Sequence, residues 1–322
     1  MNAAIVVVGS LNMDFVVRVY RLPAPGETVL GDDFRMIPGG KGANQAYAAG
    51  KLGAPGVRVR MIGRVGYDLF ADHLKASLAS AGVDVGAVHA TRAQPTGVAL
   101  IWVDCAGQNS IVVAPGANSA LAKSDVEAMR GTMRGARFAL FQLETPLETV
   151  FAALAVAREE GARTILDPAP AQALSRELLA RVDVLTPNES EASVLLGRAP
   201  ARVTPAEAAE VSSALLALGP RAVVLKLGEH GCFYADGSRG LHVPGFAVAA
   251  VDTTAAGDTF NAALAVALAE DEPMGRALRF ANAAAAISVT RAGAQASIPD
   301  RAEVDTLLSN SPQNGAREPL TH

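Results

Sequence analysis

Cysteine, aromatic residues and excess charge are all scarce in this chain. Its two cysteines, Cys105 and Cys232, lie far apart and form no Cys-x-x-Cys pair. That argues against a secreted disulfide framework and against a thiolate metal site, and both are expected to be buried free thiols. The five histidines show no His-Glu-x-x-His or other ligand spacing. Aromatics make up 5 % of the chain, so alanine fills much of the apolar half. Alanine is the best helix former, and packed helices are expected. A basic excess is also missing: 28 Lys and Arg stand against 32 Asp and Glu, a net charge of −4. Partners that require a basic surface, nucleic acid and anionic membranes, are not expected. No stretch reaches the roughly 18 consecutive apolar residues of a membrane span. The N-terminus, Met-Asn-Ala-Ala-Ile-Val-Val-Val-Gly, has no basic n-region and an apolar run of only strand length. A cytoplasmic protein is the expectation.

What is present is a repeated alternation of strand and helix. Residues 4–9 read as a buried parallel strand ending in Gly9. From Gly42 the spacing predicts helix 43–52, strand 57–62 and helix 69–81. It continues with strand 137–143, helix 147–160, strand 163–167, helix 175–181, strand 183–186, helices 189–196 and 205–218, and strand 222–227. Short strands near 232–236 and 240–243 precede helices 257–269, 274–290 and 301–308. Such units imply one α/β domain over 1–309, a central, mostly parallel sheet flanked by helices. Two stretches break the pattern with extended runs and turn residues: about 13–38, around Pro23-Ala24-Pro25-Gly26, and 96–114, around Asp104-Cys105-Ala106-Gly107. They are expected to pair as a small β-sheet lid over the C-terminal ends of the parallel strands. Residues 310–322 are polar, with two Pro and one Gly, and read as a disordered tail.

Five motifs carry the chemistry. Ala255-Ala256-Gly257-Asp258-Thr259-Phe260 opens an alanine-rich helix. Small residues there let backbone N–H groups approach an anion, and the helix dipole favours negative charge. A carboxylate in that turn can take a proton from a hydroxyl during phosphoryl transfer, or simply complement the dipole; the residues alone leave both readings open. Gly39-Gly40-Lys41-Gly42-Ala43-Asn44 is neither a Walker A loop nor a GxGxxG fingerprint, since no Ser or Thr follows the lysine and position 45 is Gln45. Its glycines permit close backbone approach to something unspecified. Gly9-Ser10-Leu11-Asn12-Met13-Asp14 follows the first strand, where open α/β sheets bind ligands. Asp14 suits a sugar diol as acceptor, though Asn and Asp are also ordinary loop residues. Asn188 and Glu191 share a helix face after Thr186-Pro187, as a capping box or as a site for hydrated Mg²⁺. Lys226-Leu227-Gly228-Glu229-His230-Gly231 is a tight loop after a strand.

In their order and spacing these motifs resemble the phosphofructokinase-B-type carbohydrate kinases, from about residue 4 to 308. Gly39 to Asn44 is similar to that family's N-terminal signature, and Asp252-Thr-Thr-Ala-Ala-Gly-Asp258 to its C-terminal one. The resemblance implies an ATP-dependent sugar kinase acting on D-ribose at the 5-hydroxyl, with a lid that also forms a homodimer. It implies ribose at Asn12, Asp14, Gly40, Lys41, Asn44 and Glu144. Asp258 would be the general base and the amides of Ala255, Ala256, Gly257 and Asp258 the anion hole. ATP would lie at Asn188, Lys226, Gly228, Gly231, Gly257 and Asn282, with Mg²⁺ held through water by Glu191. An activating K⁺ would be held by Asp252, Thr254, Ser288, Arg291, Gly293 and Ser297, partly through carbonyls. Lys226 and Asn282 depart from the family pattern, which has Thr and His there. The alternatives are a deoxyribose, hexose or nucleoside kinase of the same family, or a non-catalytic sugar-binding regulator. A dinucleotide-dependent dehydrogenase lacks its GxGxxG fingerprint.

Overall fold

The run Ala-Ile-Val-Val-Val forms the first strand, β1 (Ala4–Val8), and every one of its residues is buried. Ile5 and Val7 pack into one hydrophobic core and Val6 and Val8 into another, on the opposite face. A strand covered on both sides has no solvent face, so its sequence shows no alternation. The computed structural model describes residues 3–106 and 108–311.

The chain continues through β2 (Asn12–Val19), β3 (Gly31–Gly39), helix α1 (Lys41–Leu52), β4 (Arg58–Gly66), α2 (Leu69–Ser80) and β5 (Val83–Thr91). Next come β6 (Gly97–Val103), β7 (Asn109–Ala114), the short helices α3 (Lys123–Ala128) and α4 (Arg130–Met133), and β8 (Phe138–Phe141). A regular alternation follows: α5 (Leu147–Glu159), β9 (Arg163–Leu166), α6 (Arg176–Leu179), β10 (Val184–Leu185), α7 (Glu189–Leu195), α8 (Ala208–Leu216) and β11 (Ala222–Lys226). A hairpin, β12 (Cys232–Ala235) and β13 (Gly240–Val243), precedes α9 (Ala256–Ala269), α10 (Met274–Ser288) and α11 (Arg301–Asn310).

The strands form a nine-stranded sheet, β13-β12-β11-β10-β9-β8-β1-β4-β5, and a four-stranded sheet, β3-β2-β6-β7. The large sheet is parallel from β11 to β5 and ends in the antiparallel β12–β13 hairpin. β1 has β4 on one side and β8 on the other, so the chain winds outward in both directions from it. Ligands in open α/β sheets bind at such a reversal, beyond the carboxyl ends of the strands.

The small sheet is built from the two stretches expected to form a lid. β2 pairs antiparallel with β3 and parallel with β6, and β6 forms a hairpin with β7. β2 belongs to two environments: Asn12, Met13 and Asp14 are buried, whereas Phe15 to Arg18 run out partly or fully exposed. Residues two apart share a strand face, so Asn12 and Asp14 point the same way.

The structure departs from the sequence reading in four places. β5 was not foreseen: Asp84 and Gly86 interrupt its apolar run, and it forms the edge of the sheet, where only part of a strand is buried. α3 and α4 also escaped notice, being too short to display a helical period. Cys105 is exposed, not buried; only Cys232 is. Cys105 lies in the turn between β6 and β7, where no second layer covers it, and Gly107 of that turn lies outside the described residues. Finally, α11 includes Asn310, where the polar tail was expected to begin; residues 312–322 lie outside the described residues. Among the described residues, no helix is long and apolar enough to cross a membrane.

Candidate active site

The glycines of the first signature serve the approach of the chain to itself. Gly40 adopts φ +86°, and a Cβ there would lie 2.7 Å from the Asn12 amide nitrogen. A Cβ at Gly42 would meet Gly9 and Ser10 backbone at 2.6 Å. The start of α1 is thereby pressed onto the turn after β1, and the Ala43 amide donates to the Ser10 carbonyl at 2.9 Å. Lys41, Asn44 and Gln45 are delivered to the strand ends as a result. Glu144, just beyond β8, closes this corner: its Oε2 accepts from Ser10 Oγ at 2.5 Å and from the Lys41 amide at 3.1 Å.

Asp258 lies in the first turn of α9, 5 % exposed. Asn44 Nδ2 donates to its Oδ2 and Gln45 Nε2 to its Oδ1, both at 3.0 Å. Burial raises its carboxyl to about 6; Lys41 pulls it down, Asp167 pushes it up, and the two amide donors favour the anion. Asp14 is raised further, to about 7, by burial and by the like charges of Glu144 and Asp258, with Lys41 opposing. Burial draws the Lys41 ammonium down, but Asp258, Asp167, Glu144 and Glu191 together hold it above the ordinary lysine value. One ammonium thus lies among several partly desolvated carboxylates, an arrangement suited to moving a proton or meeting a polar ligand.

The amides around Asp258 are not all free. Ala255 caps α9 with φ 58°, a left-handed conformation that costs a non-glycine residue about 1–2 kcal/mol. The Ala256 amide donates to the Thr253 carbonyl at 3.2 Å. Among the described residues, the amides of Ala255, Gly257 and Asp258 have no such partner, so three of the four amides expected to face an anion are unpaired. Asn44 Oδ1 is likewise a buried acceptor without a donor.

The residues expected to hold a nucleotide lie along the next strand ends. Asn188 caps α7, its Oδ1 accepting from the Glu191 amide at 2.8 Å, while Glu191 accepts from the Asn188 amide and Nδ2 at 2.7 and 2.9 Å. The capping box is therefore present. Burial raises the Glu191 carboxyl, with Lys226 working against it and Asp167 with it. Lys226, at the end of β11, pairs with Asp167 at 3.1 Å and lies beside Gly257. Gly228 and Gly231 both have positive φ, which a tight loop requires. Asn282 Nδ2 donates to the Val243 and Pro244 carbonyls at 3.0 and 3.1 Å, next to the backbone that Gly231 approaches.

The residues expected to hold a monovalent cation come together as two segments. Asp252 Oδ1 accepts from the Thr254 amide and hydroxyl at 2.9 and 2.6 Å, and Oδ2 from the Gly293 amide at 2.8 Å. The Asp252 amide reaches the Val289 carbonyl at 3.1 Å. Ser288 and Ser297 donate their hydroxyls to the Ala285 and Ala294 carbonyls, and the Arg291 guanidinium turns away to Glu303. Arg291 can contribute there through its backbone alone.

Sequence reasoning missed Ser10, Gln45, Asn118, Gln142 and Asp167. Asn118 Nδ2 holds Asn12 Oδ1 at 2.7 Å, and Gln142 Nε2 donates to Gln45 Oε1 at 2.6 Å. Gln45 registers in the sequence only as the residue that breaks a glycine fingerprint. Asp167 had a signal: a lone carboxylate at the end of the buried strand β9, directly before Pro168.

The chain is similar to known proteins over nearly its whole length. The model of the pfkB family carbohydrate kinases matches residues 2–301. The chain is 41 % identical over 317 residues to the ribokinase of Haemophilus influenzae, covering 97 % of this chain and all of that one. It is 34 % identical over 306 residues to the deoxyribokinase of Salmonella typhi, covering 95 % and 98 %. The structure of Arabidopsis thaliana ribokinase complexed with ribose and ATP superposes with a TM-score of 0.87 at 35 % identity, over 97 % of this chain and all of that one.

Proposed function

The chain belongs to the pfkB family of carbohydrate kinases, and from that premise we propose that it transfers the γ-phosphoryl group of ATP to the 5-hydroxyl of D-ribose, giving D-ribose 5-phosphate and ADP. One observation carries the reading. Asp258, a buried carboxylate with a value near 6, sits in the same helical turn as the unpartnered amides of Gly257 and Asp258. At neutral pH it is mostly ionised and can accept the hydroxyl proton as the oxygen attacks, while the amides of Ala255, Gly257 and Asp258 face the negative charge of the phosphoryl group.

Ribose would lie between this turn and the lid. The orphan acceptor Asn44 Oδ1 fits a sugar hydroxyl, and Asp14, on the same strand face as Asn12, would accept from the vicinal 2- and 3-hydroxyls. Gly40, Lys41 and Glu144 complete that wall. ATP would lie along Asn188, Lys226, Gly228, Gly231, Gly257 and Asn282. Glu191 would hold Mg²⁺ through water, and the ion would offset phosphate charge. No cluster of three ligating acids, histidines or cysteines occurs among the described residues, and Mg²⁺ characteristically keeps several waters. K⁺ would be held by Asp252 with Thr254, Ser288, Gly293, Ser297 and the Arg291 carbonyl, ordering the turn before α9. The pairing of 252–254 with 288–293 supports that role, and the same bonds also serve to cap the turn. A homodimer through the lid and a cytoplasmic location complete the reading.

A deoxyribose kinase is the second reading, favoured by the 34 % identity to one. A panel of sugars with ATP and Mg²⁺, with and without K⁺ at constant ionic strength and scored by ADP release, separates the two. Ribose should exceed 2-deoxyribose in kcat/KM by about 10–100-fold, because the missing hydroxyl leaves Asp14 unpaired at about 1–3 kcal/mol. Equal efficiencies would overturn the ribose assignment, and no sugar-dependent ADP release would overturn the kinase.

A further inference from the structure

Asp167 belongs to neither the sugar nor the nucleotide group, yet both meet on it. Its Oδ1 lies 3.1 Å from Lys226 Nζ, and its Oδ2 accepts from Gln45 Nε2 at 3.2 Å. The same Gln45 nitrogen donates to Asp258 Oδ1 at 3.0 Å. On the other side, Lys226 Nζ reaches the first turn of α9, where a Cβ built on Gly257 would lie 3.3 Å away. One carboxylate therefore touches both the ammonium beside the anion hole and the amide that orients the base.

The pair is well shielded, with side-chain exposures of 12 % for Lys226 and 3 % for Asp167. Removing one partner of a buried pair leaves an uncompensated charge, so the ammonium is held where Asp167 sets it. Burial draws the Lys226 value down, but Asp167, Glu191 and Asp258 keep it above that of an ordinary lysine. It therefore stays charged at neutral pH, a donor aimed at one place in a low dielectric, where a fixed charge acts most strongly on a developing one.

We propose that Lys226 binds the phosphoryl group in transfer, and that Asp167 is its positioning residue, holding the ammonium beside Gly257 and linking it through Gln45 to Asp258. The proposal rests on the kinase reading above. Lys226 keeps its proton throughout; the hydroxyl proton goes to Asp258, and the ammonium is shared between Asp167 and the incoming phosphoryl oxygens. The rival is an ion pair that only ties the end of β9 to the end of β11.

The test compares Lys226→Met, Asp167→Asn and the double variant, which removes both charges and strands neither. Each is measured for kcat and both KM values, for melting temperature, and for affinity toward AMP and the β,γ-imido analogue of ATP. In the double variant kcat should fall about 10²-fold, as on losing one preorganised donor. Affinity for the imido analogue should weaken about tenfold, while AMP affinity and ribose KM stay within about twofold. Asp167→Asn should move the acidic limb of the pH–rate profile to lower pH, because the charge of Asp167 is one of the causes raising Asp258. Lys226→Arg should recover part of the kcat lost in Lys226→Met. A double variant keeping kcat within about threefold, or losing AMP and the imido analogue equally, would overturn the proposal. Should the double variant not fold, an unshifted acidic limb in Asp167→Asn overturns it instead. Failure of the kinase reading would look different: the wild type would show no ribose-dependent turnover.

Discussion

The two sheets use the same apolar residues to opposite ends. In β1 every residue is buried between two cores. In β7, Ile111, Val112 and Val113 are 52, 55 and 45 % exposed. The difference lies in the number of layers. Helices cover both faces of the large sheet, whereas the lid has α2 against one part of it: Phe15 stacks on Phe34 at 6.0 Å and meets the edge of Phe70 at 5.4 Å. In the cross-strand row that holds Phe15, Met36 lies on one side of it and Leu100 and Val112 on the other, each about half exposed. An exposed apolar row of that kind is where a second copy would pack in the proposed dimer. The large sheet, the floor of the candidate site, is thus finished within one chain, whereas the small sheet, the expected lid, leaves apolar residues in solvent.

The largest expected effect comes from breaking the floor. Asp258→Asn keeps the side-chain shape and removes the base, so kcat should fall about 10²–10⁴-fold. Ribose and nucleotide binding, followed by calorimetry, should persist, since Asn12, Asp14 and Lys226 are untouched. A variant with a tenth or more of wild-type kcat would remove Asp258 from the base's role.

The same division explains what was legible in the sequence. Strands buried on both faces announce themselves as unbroken apolar runs, and β1, β8 and β11 were readable for that reason. Asp258 was readable because Gly257 and two alanines precede it at a helix start. Edge elements carry weaker patterns, so β5 was lost. Residues that meet the site through other side chains were lost as well: Gln45 and Asp167 come together only when three segments distant in sequence converge, and the one local sign was the place of Asp167 between β9 and Pro168. The lid was located from its turn residues, but which of its residues share a face follows from register alone.

Breaking the lid should have a smaller effect. Leu100 and Val112 are cross-strand partners, 42 and 55 % exposed. Replacing both with Lys places like charges on the face offered to a second copy, without touching Asn12 or Asp14. Light scattering at micromolar concentration should then report a monomer where the wild type is a dimer. Ribose KM should rise about tenfold, which corresponds to losing about 1.4 kcal/mol of closure, with kcat nearly retained. A wild type that is already monomeric would refute the dimer. A monomeric variant with unchanged ribose KM would separate dimerisation from sugar binding.

The last effect, read in stability as well as activity, concerns Asp14, at the seam where β2 passes from floor to lid. Burial, with Glu144 and Asp258, raises its carboxyl from 3.8 to about 7. Below pH ~4 the group is protonated in both folded and unfolded chains, and its environment costs nothing. As pH rises from there, the unfolded chain ionises while the folded one holds its proton, so stability declines until the folded carboxyl ionises near 7. Above that the loss is constant. Each tenfold change in proton affinity corresponds to about 1.36 kcal/mol, so the penalty at pH 8 is roughly 2–4 kcal/mol. Asp14→Asn cannot ionise and escapes it. The variant should therefore melt a few degrees above the wild type at pH 8 and no higher than the wild type at pH 4, while losing efficiency on ribose. The gain in stability and the loss of activity share one cause, the desolvated charge that a sugar diol would satisfy. Equal melting temperatures at pH 8, or a gain as large at pH 4, would show that Asp14 carries no such strain, and that the seam between floor and lid is set by packing alone.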